Sequence, residues 1–236
     1  QPFVSSKPFK PIVRLNLFYG LLISISSGLA MALLVDKLDN VFHVPEDIEK
    51  NDNLPPLLGF IPFFKLPSKE DTSASEKGTL TINDFKELNN NFQSLNFIFE
   101  ETFRNIYTAI KFSSTDKNIK SIAITSTIPS EGKSLFTTLL GLNAAEIDKK
   151  ILIIDSDLRR PSLHKKLEVD NVVGLSNIIV DDEYDWRKCV NKLDTCPNLS
   201  YITGGKNPPN PIRLLDSKKM KDIVDKIYQS KEFDLI

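Results

Sequence analysis

Gly132, Lys133 and Ser134 stand in a row and together carry the chemistry of an anion seat. Glycine lets the backbone approach a phosphate closely, the lysine ammonium reaches its terminal oxygens, and the serine hydroxyl can ligate Mg2+. They close the stretch STIPSEGKS (126–134), in which Thr127 occupies the place where such loops usually open with glycine. The loss is tolerable if that residue keeps a negative φ, and Pro129 stiffens the turn. On this reading Thr127, Pro129, Ser130, Glu131, Gly132, Lys133, Ser134 and Leu135 line a nucleotide-phosphate site. A chance GKS in a surface turn is the bland alternative, and the flanks weigh against it. IKSIAITS (119–126) reads as a strand entering the loop, and a helix is predicted from Lys133 to about Asp148, with its N-terminus facing the phosphates.

The second reactive pair follows in ILIIDSDLRRPSLHKKL (151–167). A continuous apolar run of the kind found in buried parallel strands ends at Asp155, with Asp157 two positions on. Alternate residues share a face of a strand, so both carboxylates can point to the mouth of a sheet. There they could hold a Mg2+ ion and take a proton from an incoming hydroxyl. Taken alone, the stretch could equally be a solvated acidic-basic turn. Its position just after the phosphate-loop helix favours the chemical reading.

The elements needed to position these groups are an α/β sheet with helices on both faces, as strand and helix signals alternate. Besides 119–126 and 150–155, strands are predicted at Leu199–Thr203 and from Phe233, and a helix over Ile212–Tyr228. Before the sheet, Leu95, Ile98, Phe99, Phe103, Ile106, Ala109 and Ile110 recur at helical spacing. Leu17–Val35 has no charged residue and is long enough to cross a bilayer core. Between them, 40–91 is polar and proline-rich, a linker in which LLGFIPFF could be a short strand or a membrane-surface contact.

Composition narrows the classes. With 236 residues and 41% hydrophobic content the chain can build a full core, and a net charge of −1 gives no general pull toward nucleic acid. Cys189 and Cys196 form no CxxC pair, so a zinc site or a disulfide framework is not expected. A chain that begins with Gln1 and closes on KEFDLI reads as a fragment of a longer protein.

The phosphate loop, the hhhhDxDxR strand and GGKNPPNPIRLLDS together resemble the bacterial tyrosine kinases that couple to polysaccharide co-polymerases. SKPFKP and LPPLLGFIP on either side of the apolar segment are similar to the co-polymerase's second membrane helix and its juxtamembrane linker. The resemblance implies a P-loop NTPase-like parallel sheet, preceded by one transmembrane helix and truncated at its C-terminus. Its divisions are 1–16 (periplasmic end of the co-polymerase domain), 17–35 (membrane helix), 36–92 (cytoplasmic linker) and 93–236 (an incomplete kinase domain). It implies ATP and Mg2+ as cofactors, with Lys133 and Ser134 on phosphates and metal. Asp155 would serve in metal binding, and Asp155 and Asp157 in activating a tyrosine hydroxyl, their division of labour left open.

Further expectations follow from the same resemblance. The family's Glu-x-x-Arg-x-x-Arg subunit contact is matched by Glu101 and Arg104, while Tyr107 stands at the second arginine and Arg213 at a usual glutamate. Partners would be the chain itself, through trans-autophosphorylation in a homo-oligomer, the polysaccharide export machinery, and a tyrosine phosphatase. The place would be a bacterial inner membrane with the kinase domain cytoplasmic. The family's second strand aspartate and tyrosine cluster would lie beyond Ile236, so this stretch alone is expected to phosphorylate little. Two other readings are a catalytically silent chain-length regulator and a Min- or Par-type ATPase, which would carry lysine where Ile128 stands. A dehydrogenase is disfavoured by the lack of G-x-G-x-x-G.

Overall fold

The computed structural model describes residues 13–39, 48, 55–61, 93–114, 119–129, 131–181 and 185–236, and its contacts divide the chain into two units, Gln1–Leu57 and Leu58–Ile236. In the first unit, helix α1 (Val13–Leu38) is apolar on all sides, and none of its residues is buried within the chain. At 1.5 Å per residue it is about 39 Å long, more than a bilayer core requires. It extends past the apolar run predicted from sequence, taking in Arg14 at one end and Asp36 and Lys37 at the other. Ser24 and Ser26 donate their hydroxyls back to the carbonyls of Leu21 and Ile23, so they present no unsatisfied polar group to lipid. The helix is compatible with membrane anchoring.

The second unit is built on a sheet in the order β1 (Ile151–Ile154), β3 (Cys196–Ile202), β2 (Asn191–Leu193). β1 and β3 run parallel, with Ile151 opposite Leu199 and Ile154 opposite Ile202. β2 runs antiparallel to β3, a hairpin partner that the sequence analysis does not anticipate and that makes the sheet mixed. β1 is buried on both faces. Ile151 and Ile153 enter one core with Phe103, Ile106, Tyr107 and Ile110 of α2 (Gln93–Phe112) and Leu140 and Ala144 of α3 (Lys133–Glu146). Leu152 enters the other with Leu175 and Ile178 of α5 (Leu175–Val180), Trp186 of a 3-10 turn (Trp186–Cys189), and Ile223 and Ile227 of α7 (Lys218–Ser230). Each such side chain contributes about 2 kcal/mol of burial. The expected layering of helices on both faces is therefore present.

Two predicted elements differ. The stretch 119–126 is extended but is not a regular strand, because it pairs over only two residues. Ile122 N donates to Ile236 O at 2.9 Å, and Ile236 N to Lys120 O at 2.8 Å. On its other side the 235–236 segment meets β1, with Ile151 bridged to Leu235 in parallel, at the place where a strand is predicted to begin. The predicted helix 212–228 is two helices, α6 (Pro211–Leu215) and α7. They are divided at Asp216–Ser217, where Ser217 Oγ accepts the Met220 N–H and starts α7 afresh. α4 (Leu163–Leu167) and α5 are short helices not foreseen. Residues 55–61 have no regular secondary structure, and Gly59 lies flat against Ile106 with no room for a Cβ. The rest of LLGFIPFF lies outside the described residues.

Candidate active site

α3 begins at the phosphate loop because Gly132 adopts a left-handed conformation, φ 90° and ψ 14°, that turns the chain into the helix. Gly141 then lets α3 settle on the sheet, since a Cβ there would lie 2.7 Å from Ile153 Cδ1. Thr137 and Thr138 donate their hydroxyls to the carbonyls of Lys133 and Ser134, so two polar side chains are absorbed within the helix. The first-turn N–H groups of α3 have no partner inside the helix, as in any helix start, and they face the loop. Lys133 and Ser134 thus sit at the positive end of a 14-residue helix.

Asp155 extends the β1–β3 ladder by one residue, its N–H donating to Ile202 O at 2.9 Å. Its carboxylate is buried and is the hub of the following turn. Oδ1 accepts the Asp157 N–H at 3.1 Å, and Oδ2 accepts the N–H groups of Ser162 at 3.1 Å and Leu163 at 3.0 Å. Burial pushes its pKa up, against these three bonds, and the neighbouring charge of Asp157 adds to the rise. Asp157 is exposed, and its Oδ1 accepts only the Arg160 N–H among the bonds seen here. The two aspartates are therefore close but unequal, one tied into the backbone and one open to solvent.

Ser162 joins the two motifs. Its hydroxyl lies 2.6 Å from Ser134 Oγ, while its N–H is held by Asp155. Ser162 carries no signal in the sequence, because it lies 28 residues from Ser134 and only the turn after Asp155 brings it back. His164, two residues on, has a buried Nδ1 without a hydrogen-bond partner, and burial holds its pKa low although the Asp155 charge pulls it up. A cavity of about 590 Å3 takes in Lys133, Ser134, Thr137, Asp155, Asp157 and Arg159 and continues over the apolar edge of β1.

The remaining predicted site residues are placed as follows. Thr127, Ile128 and Glu131 are exposed in the loop, with Glu131 turned inward onto Thr127. Pro129 is exposed, Leu135 is partly buried in α3, and Ser130 lies outside the described residues. Glu101 and Arg104 are exposed on α2 and form an i,i+3 pair at 4.0 Å, of the kind worth little in water. Tyr107 does not share that face. It is buried in the core at 4% exposure, and burial first and the Asp234 charge second raise its pKa. Asp234 is not at the site, since its Oδ2 accepts the Lys150 N–H at the sheet edge.

The donor chemistry fits Mg2+. No group of three or more His, Cys, Asp or Glu side chains converges among the described residues. Mg2+ needs only one or two carboxylates beside substrate oxygens and water, and a hydroxyl and two carboxylates line one cavity here.

No protein-family model matches the chain. Over 155 residues it is 34% identical to tyrosine-protein kinase YwqD of Bacillus subtilis, covering 66% of this chain and 60% of that one. It is 26% identical over 242 residues to tyrosine-protein kinase etk of Escherichia coli K12, covering 98% of this chain and 31% of the relative. The solved kinase domain of Escherichia coli ETK superposes with a TM-score of 0.66 at 25% identity, over 83% of this chain and 72% of that structure. The chain thus spans well under two thirds of these curated relatives. By its loop, its paired aspartates, its sheet and these likenesses, the chain fits the family of bacterial tyrosine kinases.

Proposed function

We propose that the chain is the membrane-anchored catalytic part of a protein-tyrosine autokinase. It transfers the γ-phosphoryl group of ATP to the hydroxyl of a tyrosine on a neighbouring copy, releasing ADP. The observation that carries this reading is the convergence of the two motifs through Ser162, whose hydroxyl contacts Ser134 and whose N–H is held by Asp155. In this reading Lys133 and the first-turn N–H groups of α3 bind the phosphates. Ser134 and Asp155 would hold Mg2+, which would supply charge neutralisation for the phosphate oxygens. Asp157, open to solvent, accepts the tyrosine proton as the oxygen attacks. Catalysis then rests on positioning and charge, without a covalent enzyme intermediate.

The wider setting belongs to the same proposal. Residues 1–16 are the periplasmic end of a co-polymerase domain, 17–35 a span of the bacterial inner membrane, 36–92 a cytoplasmic linker and 93–236 the kinase domain. Phosphorylation adjusts self-association and thereby capsular or exopolysaccharide export, and a tyrosine phosphatase reverses it. The Glu101–Arg104 face of α2 meets a neighbouring copy. Nucleic acid plays no part. A silent regulator of polysaccharide chain length is the second reading, favoured by one feature: the Asp155 carboxylate is already engaged by three backbone N–H groups.

Transfer of labelled γ-phosphate in the full-length protein tests the proposal. Lys133→Ala should abolish transfer while leaving the far-ultraviolet spectrum unchanged, and retained transfer would remove Lys133 from the site.

A further inference from the structure

Among the described loop residues Glu131 accepts three hydrogen bonds, and its carboxylate carries a charge opposite to anything that would bind phosphate. It reaches back across the loop. Oε2 accepts the Thr127 N–H at 3.0 Å and the Ile128 N–H at 3.4 Å, and Oε1 accepts the Thr127 hydroxyl at 3.1 Å. A fourth bond, from Ser126 Oγ to Ile128 O at 2.9 Å, ties the entrance of the loop to the same turn. Glycine at 127 could supply one of the three donors to the carboxylate but not the hydroxyl. The threonine at the start of the loop and the acid four residues on are thus joined by two of these three bonds.

We infer that Glu131 is a positioning residue that braces the phosphate loop through Thr127. The brace holds the entrance of the loop in place before nucleotide arrives, so the N–H groups beyond Gly132 stay aimed at the phosphates. Pro129, without an N–H and with φ fixed, stiffens the span that the brace crosses. Desolvation pulls the Glu131 carboxyl upward, but the hydrogen bonds from Ile128 and Thr127 outweigh it and keep the pKa below its ordinary value. The acceptor is therefore ionised at neutral pH, and its hydrogen bonds are charge-assisted. The inference rests on the reading of residues 127–135 as a nucleotide-phosphate loop.

The test is affinity for a fluorescent ADP analogue, measured on the full-length protein with Mg2+ present and again without it. Glu131→Ala should weaken binding about tenfold, the loss of one charge-assisted bond network. Glu131→Gln, which keeps one acceptor oxygen, should recover part of that loss. Thr127→Val should weaken binding about fivefold alone and add little in the Glu131→Ala background, because both changes cut the same brace. In turnover, Glu131→Ala should raise KM for ATP with kcat nearly unchanged, and a general loss of fold would not give this split. Tighter binding by Glu131→Ala would show that the carboxylate competes with phosphate and would overturn the brace. So would additive effects of the two substitutions. If the unsubstituted protein bound no nucleotide while Lys133→Ala behaved identically, the phosphate-loop reading itself would fail, and the brace with it.

Discussion

Replacing each aspartate of the pair by asparagine should separate two roles that look interchangeable in the sequence. In Asp155→Asn the amide keeps a single acceptor oxygen. Placed where Oδ2 stands, that oxygen retains the bonds from Ser162 and Leu163 but turns an NH2 group onto the Asp157 N–H. One charge-assisted bond is lost and two donors face each other, a cost of about 1.5–3 kcal/mol. Relief of the buried charge, whose burial pushes the Asp155 pKa up, offsets part of this. The net loss is about 1–2 kcal/mol, or about 2–8 °C in midpoint for a unit of this size. Asp157→Asn removes an exposed group that accepts the Arg160 N–H, and stability should change by less than about 0.5 kcal/mol. Turnover should nevertheless fall about 100-fold or more if Asp157 receives the tyrosine proton. The assay is thermal unfolding of the nucleotide-free protein beside labelled phosphate transfer by the same preparations. Equal shifts in midpoint, or an Asp157→Asn protein with full turnover, would refute the division.

Three further outcomes are expected. Asp155 has a folded pKa above its unfolded value, so its contribution to stability is present at acid pH and is lost as pH rises through the raised value. The midpoint advantage of the unsubstituted protein over Asp155→Asn should accordingly shrink as pH is raised from the ordinary carboxylate range, and a gap that widened would contradict the sign. Gly174→Ala should cost about 1–3 kcal/mol, measured as a lower denaturant midpoint at unchanged slope, because the new Cβ meets the Thr203 carbonyl oxygen and lies 2.5 Å from Gly205 N. In membranes, the chain should stay in the pellet after alkaline carbonate extraction, since α1 exposes apolar side chains along its whole length; release into the supernatant would remove α1 as an anchor.

What could be read from sequence is what is local in it. Gly132 had to take an unusual conformation for a helix to start after a tight loop, and it does so at φ 90°. ILII was legible as a strand buried on both faces because no polar residue interrupts it. The break at Asp216–Ser217 also had a local signal, a serine three residues before Met220 in capping position, outweighed by apolar spacing that runs on through it. β2 had none, for three residues show no period, and its pairing comes from the turn at Asp194–Thr195 and the length of β3. The 119–126 stretch carries a strand's composition, and the pairing it makes is with Ile236, which accepts the Ile122 N–H and donates to Lys120 O. Ser162 was invisible for the same kind of reason, since its value lies in a contact 28 residues away.

Thr127 and Tyr107 show why a departure from a family pattern has to be judged by where the side chain goes. Both stand where the expected motif has another residue type, and both look like losses when the sequence is read position by position. Tyr107 leaves the face where a second arginine would stand and enters the core beside Phe103 and Ile106, its ring buried and its hydroxyl left without a hydrogen-bond partner. Thr127 stays at the surface, and its hydroxyl finds an acceptor four residues on in Glu131. The first change takes the side chain off the exposed face of α2 that carries Glu101 and Arg104. The second keeps the side chain within the loop, tied by a hydrogen bond that glycine could not make.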